Sequence, residues 1–105
     1  MEAIMKAARS DLSEKLKDRR KKIDLIDRRL LKLLNQRLHV ALEIGKIKRE
    51  MGEKVYDPKR EKEVLRRLKI KNRGPLKEKD LEKVFRTIMK VCRRSQKGVN
   101  SRTPL

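Results

Sequence analysis

The longest amphipathic pattern in the sequence lies between about Glu14 and Met51. Apolar side chains recur there in alternating steps of three and four residues, which is the spacing of one face of an α-helix. This seam consists of Leu16, Arg20, Ile23, Asp27, Leu30, Leu34, Arg37, Ala41, Ile44 and Lys48, and Ile26 and Leu33 widen it. The pattern predicts one helix of about 38 residues, roughly 57 Å long.

Signals at both ends of this pattern suggest where the long helix starts and stops. Residues 1–11 form an N-terminal extension that we expect to be either helical or disordered. An ordered start next to Asp11 is expected, because Asp11 and Glu14 have the spacing of a capping box. Gly45 is expected inside the helix, where a missing side chain lets a backbone or a ligand come close. Gly52 is the expected stop.

Two shorter helices are predicted after Gly52. The second begins at Asp57–Pro58, because Asp caps helices and Pro suits the first helical position, and it ends at Asn72–Pro75. Its predicted inner face is Glu61, Val64, Leu65 and Leu68. The third begins near Lys77–Asp80 and fades at Gly98. Its predicted inner face is Leu81, Val84, Phe85, Ile88, Cys92 and Gln96.

Composition agrees with an all-α fold. Charged residues make up 46% of the chain, a level typical of long helices and coiled coils, and there are only 4 Gly and 3 Pro. We expect a helical domain over residues 12–97 and a flexible tail or linker over 98–105. Two helices of roughly 15–20 residues cannot cover the long one. A periodic helix of that length normally pairs with another chain, so an obligate homodimer is predicted.

The net charge of +18 limits the classes of partner. It fits a solvated basic surface, an anionic small molecule, nucleic acid or an acidic membrane surface. No apolar run approaches the roughly 20 residues of a membrane span, and the N-terminus lacks the apolar core of a signal peptide. One cysteine excludes an internal disulfide and a cysteine-based zinc site, and His39 reads as a surface or interface residue. We expect a cytoplasmic protein without a metal.

Three cations interrupt the apolar seam: Arg20, Arg37 and Lys48. Burying an unpaired cation is costly, so an anion is expected to meet them. Arg37 and Lys48 are about three turns apart and point the same way, about 16 Å from each other. Arg20 lies about 25 Å from Arg37, too far to share one small ligand within a straight helix. If all three share a ligand, the partner's Arg20 has to reach it. The alternative is pairing with Asp27, Glu43 or Glu61.

Polar residues of the other two helices are expected nearby. The short connection brings the second helix back beside the end of the first, near Lys48, with Asp57, Arg60 and Glu61. On the third helix, Cys92 and Gln96 lie one turn apart. Each also has a plainer interpretation, since Asp57 caps a helix, Cys92 suits a small core position, and Gln96 could be exposed near a fraying end.

The order and spacing of five stretches resembles the all-helical class of chorismate mutases, including the mutase domains fused to prephenate dehydratase. The resemblance covers about residues 15–97. The stretches are Arg20–Asp27, Leu33–Arg37, Ile44–Lys48, Val55–Glu61 and Phe85–Gln96.

The resemblance implies an intertwined homodimer of three-helix chains, with two equivalent sites that convert chorismate to prephenate, a step toward phenylalanine and tyrosine. Arg37 and the partner's Arg20 would hold the two carboxylates, and Lys48 would contact a carboxylate and the ether oxygen. A Claisen rearrangement needs a compact dianion and donors at the ether oxygen rather than a nucleophile or a metal. No cofactor is expected.

The remaining roles also follow from the resemblance. Glu61 and Asp57 would orient the ring hydroxyl, with Arg60 near the end of the ring. Gln96 would donate to the ether oxygen. Cys92 stands where some relatives carry Ser, a position that needs a small side chain.

Three alternatives stay open. Isochorismate-pyruvate lyases share the cationic residues but usually lack the carboxylate at the position of Glu61, which favours the mutase. A basic helical dimer could bind nucleic acid, although the chain has little aromatic surface for stacking and no recognised docking motif, so nucleic acid is not expected. A mutase domain attached to or docked on another enzyme of the pathway could also be mainly regulatory, with the tail after Gly98 as a linker or interface.

Overall fold

The structure, a computed structural model, describes residues 1–101 of the chain, with side chains as far as Lys97. It contains three helices, which are α1 (Glu2–Glu50), α2 (Pro58–Lys71) and α3 (Glu78–Ser101). Residues 1–101 contain no strand, so the all-α prediction is confirmed. The chain divides into two compact units, Met1–Asn35 and the part that follows from Gln36.

The first unit consists of the N-terminal part of α1. Its helix begins at Glu2, so the ordered start expected next to Asp11 is wrong, while a helical extension agrees with the structure. Asp11 lies inside the helix and pairs with Lys15 at 3.5 Å, one turn later, instead of capping an end. Every residue from 1 to 36 is exposed, including apolar seam residues such as Ile23. This unit therefore has no core of its own.

Gly52 ends α1 as predicted. Its φ of 72° lies in the left-handed region that glycine adopts without strain. The amides of Gly52 and Glu53 then turn back to the carbonyls of Arg49 and Lys48, at 3.1 and 2.8 Å. This turn satisfies carbonyls that the helix end leaves open. It also allows a short connection from α1 to α2.

Both predicted ends of α2 are confirmed. The Arg60 amide donates to the Asp57 carboxylate at 3.0 Å, and Pro58 occupies the first helical position. After α2, the Asn72 side chain accepts from the Gly74 amide at 3.2 Å and donates to the Leu76 carbonyl at 2.8 Å. One side chain thus organises the turn that leads into α3.

The core of the second unit is small and is formed mainly by α2 and α3. The buried hydrophobic residues are Leu65, Leu81, Met89 and Cys92. The predicted inner face of α3 missed Met89 and wrongly included Val84, which is 49% exposed. At about 100° per residue, Val84 points roughly 100° away from the centre of the buried row, whereas Met89 points only about 40° away.

Three charged residues form ion pairs that connect α3 to α2. The Lys69 ammonium lies 3.1 Å from the Glu82 carboxylate, which also accepts from Arg86 at 2.7 Å. The hydrogen bonds from Arg86 and then Lys69 hold the pKa of Glu82 below its ordinary value. Because these residues are partly exposed, the pairs set the register of the helices more than they add to stability.

The last helix runs further than the sequence predicts. It continues as helix to Ser101 instead of fading at Gly98. The tail predicted over 98–105 therefore begins as helix, and its residues 102–105 lie outside the described part of the chain. Among the described residues, no helix has a stretch long and apolar enough to span a membrane.

Candidate active site

The second unit contains a cavity of about 290 Å³, which we call the central pocket. Its size is close to the lower end of the range for small-molecule sites, roughly 300–1,000 Å³. Seven of the eight predicted site residues line it, and Arg20, an exposed residue of the first unit, does not. The lining is Arg37, Val40, Ala41, Ile44, Lys48, Val55, Asp57, Arg60, Glu61, Val64, Met89, Cys92, Arg93 and Gln96.

Arg37 reaches the pocket from α1 without a carboxylate partner. Its Nη1 donates to the Sγ of Cys92 at 3.1 Å, and the described residues give it no ion pair. The expected alternative, pairing with Asp27, Glu43 or Glu61, is therefore wrong. A sulfur atom is a weak acceptor, so this half-buried guanidinium keeps most of its capacity to bind an anion.

Lys48 and Asp57 connect the end of α1 to the start of α2. The Lys48 ammonium lies 3.6 Å from the Asp57 carboxylate. The same carboxylate caps α2 through the Arg60 amide, so the predicted cap is confirmed. The hydrogen bond from the Arg60 backbone amide, followed by the charge of Lys48, holds the pKa of Asp57 below its ordinary value of 3.8.

Asp57→Asn and Asp57→Ala separate the two contacts of this carboxylate. Asn also caps helices, so Asp57→Asn keeps the Arg60 bond and loses the charge opposite Lys48, whereas Asp57→Ala loses both. We expect the urea midpoint at pH 7 to fall more for Asp57→Ala than for Asp57→Asn. A lowered pKa stabilises the fold above 3.8 and ceases to do so as the pH falls through the folded value. The gap between wild type and Asp57→Asn should therefore close as the pH falls below 3.8, and a constant gap would contradict this.

Glu61 is held by a residue that sequence reasoning missed. Arg93 Nη1 lies 2.6 Å from both oxygens of the Glu61 carboxylate, and its guanidinium lies 4.7 Å from the centre of the Tyr56 ring. In sequence, Arg93 follows Cys92 at the edge of the apolar face of α3. A cation at that edge is the only signal that could have identified it.

Gln96 is buried, with 8% of its surface exposed, so the alternative of an exposed residue at a fraying end is wrong. Its Nε2 donates to the carbonyl of Ala41 on α1 at 2.5 Å. The approach depends on Gly45, which lies inside α1 as predicted. A Cβ at Gly45 would lie 3.2 Å from the Cγ of Gln96. The Gln96 side chain occupies the space beside Gly45, whereas the sequence predicted a backbone or a ligand there.

Gly45→Ala should separate activity from stability. Alanine favours the helix by about 1 kcal/mol, but its methyl group would press on the Gln96 side chain. We expect the thermal midpoint to stay the same or rise, while kcat/KM for the reaction implied by the sequence resemblance falls about tenfold because the amide is displaced. Gly74→Ala is the matched control, since nothing lies within 4 Å of a Cβ there. Full activity combined with lower stability would contradict the expected role of Gly45.

The pocket carries a net charge of +2, counted from the ionisable groups that line it. Arg37, Lys48, Arg60 and Arg93 give four positive charges, and Asp57 and Glu61 give two negative charges. Both carboxylates are already paired, with Lys48 and Arg93. The unbalanced charge suits a small dianion. Within the described part of the chain, no three His, Cys, Asp or Glu side chains come close enough to hold a metal ion.

The family model described as chorismate mutase type II matches residues 19–97, which is most of the chain. The protein belongs to this family. The resemblance to all-helical chorismate mutases, found in the sequence, is thereby confirmed.

Relatives and a solved structure agree with this assignment. A bifunctional chorismate mutase/prephenate dehydratase from Neisseria gonorrhoeae is 41% identical over 81 residues, covering 77% of this chain and 22% of the relative. A chorismate mutase from Methanocaldococcus jannaschii is 43% identical over 56 residues, 53% of this chain and 57% of that protein. The structure of a chorismate mutase (form II) from Thermus thermophilus superposes with a TM-score of 0.78 at 35% identity, covering 79% of this chain and 94% of that one.

This chorismate mutase family chain spans only about a fifth of the length of its Neisseria relative. The Thermus chain, in contrast, is covered almost completely. Both comparisons support the mutase among the functions predicted from the sequence, and neither supports the lyase, the nucleic-acid binder or the regulatory domain.

Proposed function

We propose that the protein catalyses the rearrangement of chorismate to prephenate. The observation that carries this proposal is the meeting of Arg37, Lys48 and Gln96, from α1 and α3, in one cavity with a net charge of +2. Membership of the type II family supports the same reaction. The site residues and their roles are part of the proposal.

The cations of the pocket bind the substrate in a compact conformation. Arg37 takes one carboxylate, because it has no carboxylate of its own to release. Lys48 lies three turns along the same helix and contacts a carboxylate and the ether oxygen of the substrate. Holding the two reacting carbons close together lowers the entropy that the rearrangement has to lose.

Gln96 supplies a fixed donor where negative charge grows. An amide nitrogen carries two hydrogens, and Ala41 accepts only one of them. The bond to Ala41 fixes the plane of the amide, and the second N–H remains for the ether oxygen. A fixed donor in a largely dry site stabilises the transition state more than a mobile one in water.

The two carboxylates of the pocket bind the ring hydroxyl, which is an uncharged group of the substrate. Arg93 holds Glu61 and Lys48 holds Asp57, and the oxygens of both carboxylates can accept from the ring hydroxyl. Arg60 also lines the pocket. Cys92 leaves room for the substrate because its side chain is small.

The direct test follows chorismate absorbance after addition of purified protein, with products identified by chromatography. We expect prephenate, with the same rate after treatment with EDTA. Release of pyruvate from isochorismate instead would favour the lyase. No turnover above background would contradict an enzyme, and tight, salt-sensitive DNA binding without turnover would favour the nucleic-acid binder.

We also propose that the active form is an intertwined homodimer with composite sites. Every residue of the first unit is exposed, including seam residues such as Leu30 (49%) and Leu33 (60%), and a partner's helix would cover this seam. Arg20 lies on that unit, so the partner's Arg20 is the cation that completes the central pocket. Association with another pathway enzyme and a cytoplasmic location also stay predictions.

A further inference from the structure

A second cavity, of about 410 Å³, lies next to the central pocket and shares Val55, Arg93 and Gln96 with it. We call it the basic pocket, after the five cations that line it. These are Arg49, Lys90, Arg93, Arg94 and Lys97, and Tyr56 completes the lining. Four of these cations, Arg49, Lys90, Arg94 and Lys97, have none of the roles proposed above for chorismate.

The charge of the basic pocket differs in kind from that of the central pocket. Among the residues that the structure describes, no carboxylate lines it, whereas two line the central pocket. Of its five cations, only Arg93 has an ion pair within the part of the chain that the structure describes. Four positive charges are therefore gathered around one concavity without a counter-charge. Such an arrangement attracts and concentrates anions.

The geometry of α3 explains how the charges come together. Lys90, Arg94 and Lys97 lie four and three residues apart, so they share one face of the helix. Arg49, from the last turn of α1, faces the same cavity. Guanidinium groups match the paired oxygens of phosphate groups, and lysines add charge without demanding a fixed direction.

Arg93 belongs to both pockets. It holds Glu61 in the central pocket at 2.6 Å, and it lies over the ring of Tyr56, which lines the basic pocket. An anion in the basic pocket would compete with Glu61 for this one guanidinium. Occupancy of one cavity would then be coupled to the arrangement of the other.

We propose that the basic pocket binds a small polyphosphate anion and that Arg93 transmits its presence to Glu61. Four unpaired cations fit an anion with three or four negative charges. Binding draws Arg93 away from Glu61 and lowers turnover. This second effect rests on the proposed mutase function, whereas the binding does not.

Inorganic pyrophosphate is the probe, titrated calorimetrically into the full chain at constant ionic strength. We expect one binding event per chain, weakened about tenfold or more by the double change Arg94→Gln and Lys97→Gln, because two charged contacts are lost. The matched control removes the same charge from exposed cations of α2, with Arg66→Gln and Lys71→Gln. Equal weakening in the control, or no binding in wild type, would overturn the site.

Arg37→Gln distinguishes pyrophosphate binding in the basic pocket from binding in the central pocket. It alters the central pocket only, so pyrophosphate affinity should stay within about twofold of wild type. A large loss would place the anion in the central pocket and overturn the proposal. None of these titrations uses chorismate, so they remain readable even if the protein fails the turnover test.

Turnover tests the coupling through Arg93. Pyrophosphate should lower kcat in wild type, because Glu61 loses its partner, and should have little effect on the Arg94→Gln, Lys97→Gln protein. A rise in KM alone, equal in both proteins, would mean simple competition with chorismate and would overturn the coupling.

Discussion

Gln96→Glu is expected to be nearly inactive at neutral pH and to regain activity as the pH falls. The ionised carboxylate has no hydrogen to donate to the ether oxygen and repels the charge that develops there, so we expect a loss of about 10²–10³-fold in kcat/KM. It would also face the carbonyl of Ala41, which now accepts from the Gln96 amide at 2.5 Å. Protonation restores a donor, and activity should follow the apparent pKa of the introduced group.

The measurement is kcat/KM against pH for wild type and Gln96→Glu, with folding checked by circular dichroism at each pH. Gln36→Glu is the matched control, since it makes the same chemical change at an exposed position of α1 outside the pocket. Its pH profile should follow wild type. If Gln96→Glu works as well as wild type at mildly alkaline pH, Gln96 is not the donor.

Arg20→Ala and Arg37→Ala should each be nearly inactive alone and should recover activity together. After the two proteins are unfolded and refolded as a mixture, half of the dimers combine one chain of each kind. In such a dimer one site carries both changes and the other carries neither. If the partner's Arg20 completes the pocket of Arg37, about a quarter of wild-type activity should return.

The matched control mixes Arg37→Ala with Lys48→Ala. Both residues line the pocket of their own chain, so every site in a mixed dimer carries one defect and no activity should return. Formation of mixed dimers is checked with an affinity tag on one chain. Mixed dimers that form without recovering activity in the Arg20 and Arg37 experiment would show that Arg20 does not act across chains.

Helix ends could be predicted where the residues around a local stop or cap signal did not themselves favour a longer helix. Gly52 and the pair Asp57–Pro58 each act through backbone geometry that a few residues determine, and the structure places helix ends there. The spacing of Asp11 and Glu14 is equally local, but the residues before them are also good helix formers. The helix therefore continues to Glu2, and Asp11 pairs with Lys15 instead.

The composition of the central pocket was predictable, whereas its pairings were not. Helical periodicity places Arg37 and Lys48 on one face, and a short connection brings Asp57 near Lys48. The pair of Glu61 and Arg93 joins positions 32 residues apart on different helices. Its existence depends on the angle at which α2 meets α3, and no spacing within either helix encodes that angle.

The part of this chain that is synthesised earlier is the part without a buried core. Residues 1–35 leave the ribosome before the part from Gln36 onward, and all of them are exposed. A lone helix in water is marginal, so this stretch gains little protection from its own propensity. The part from Gln36 onward, which contains the buried Leu65, Leu81 and Met89, emerges later. Until another surface covers the apolar side chains of residues 1–35, these side chains are accessible to chaperones and proteases.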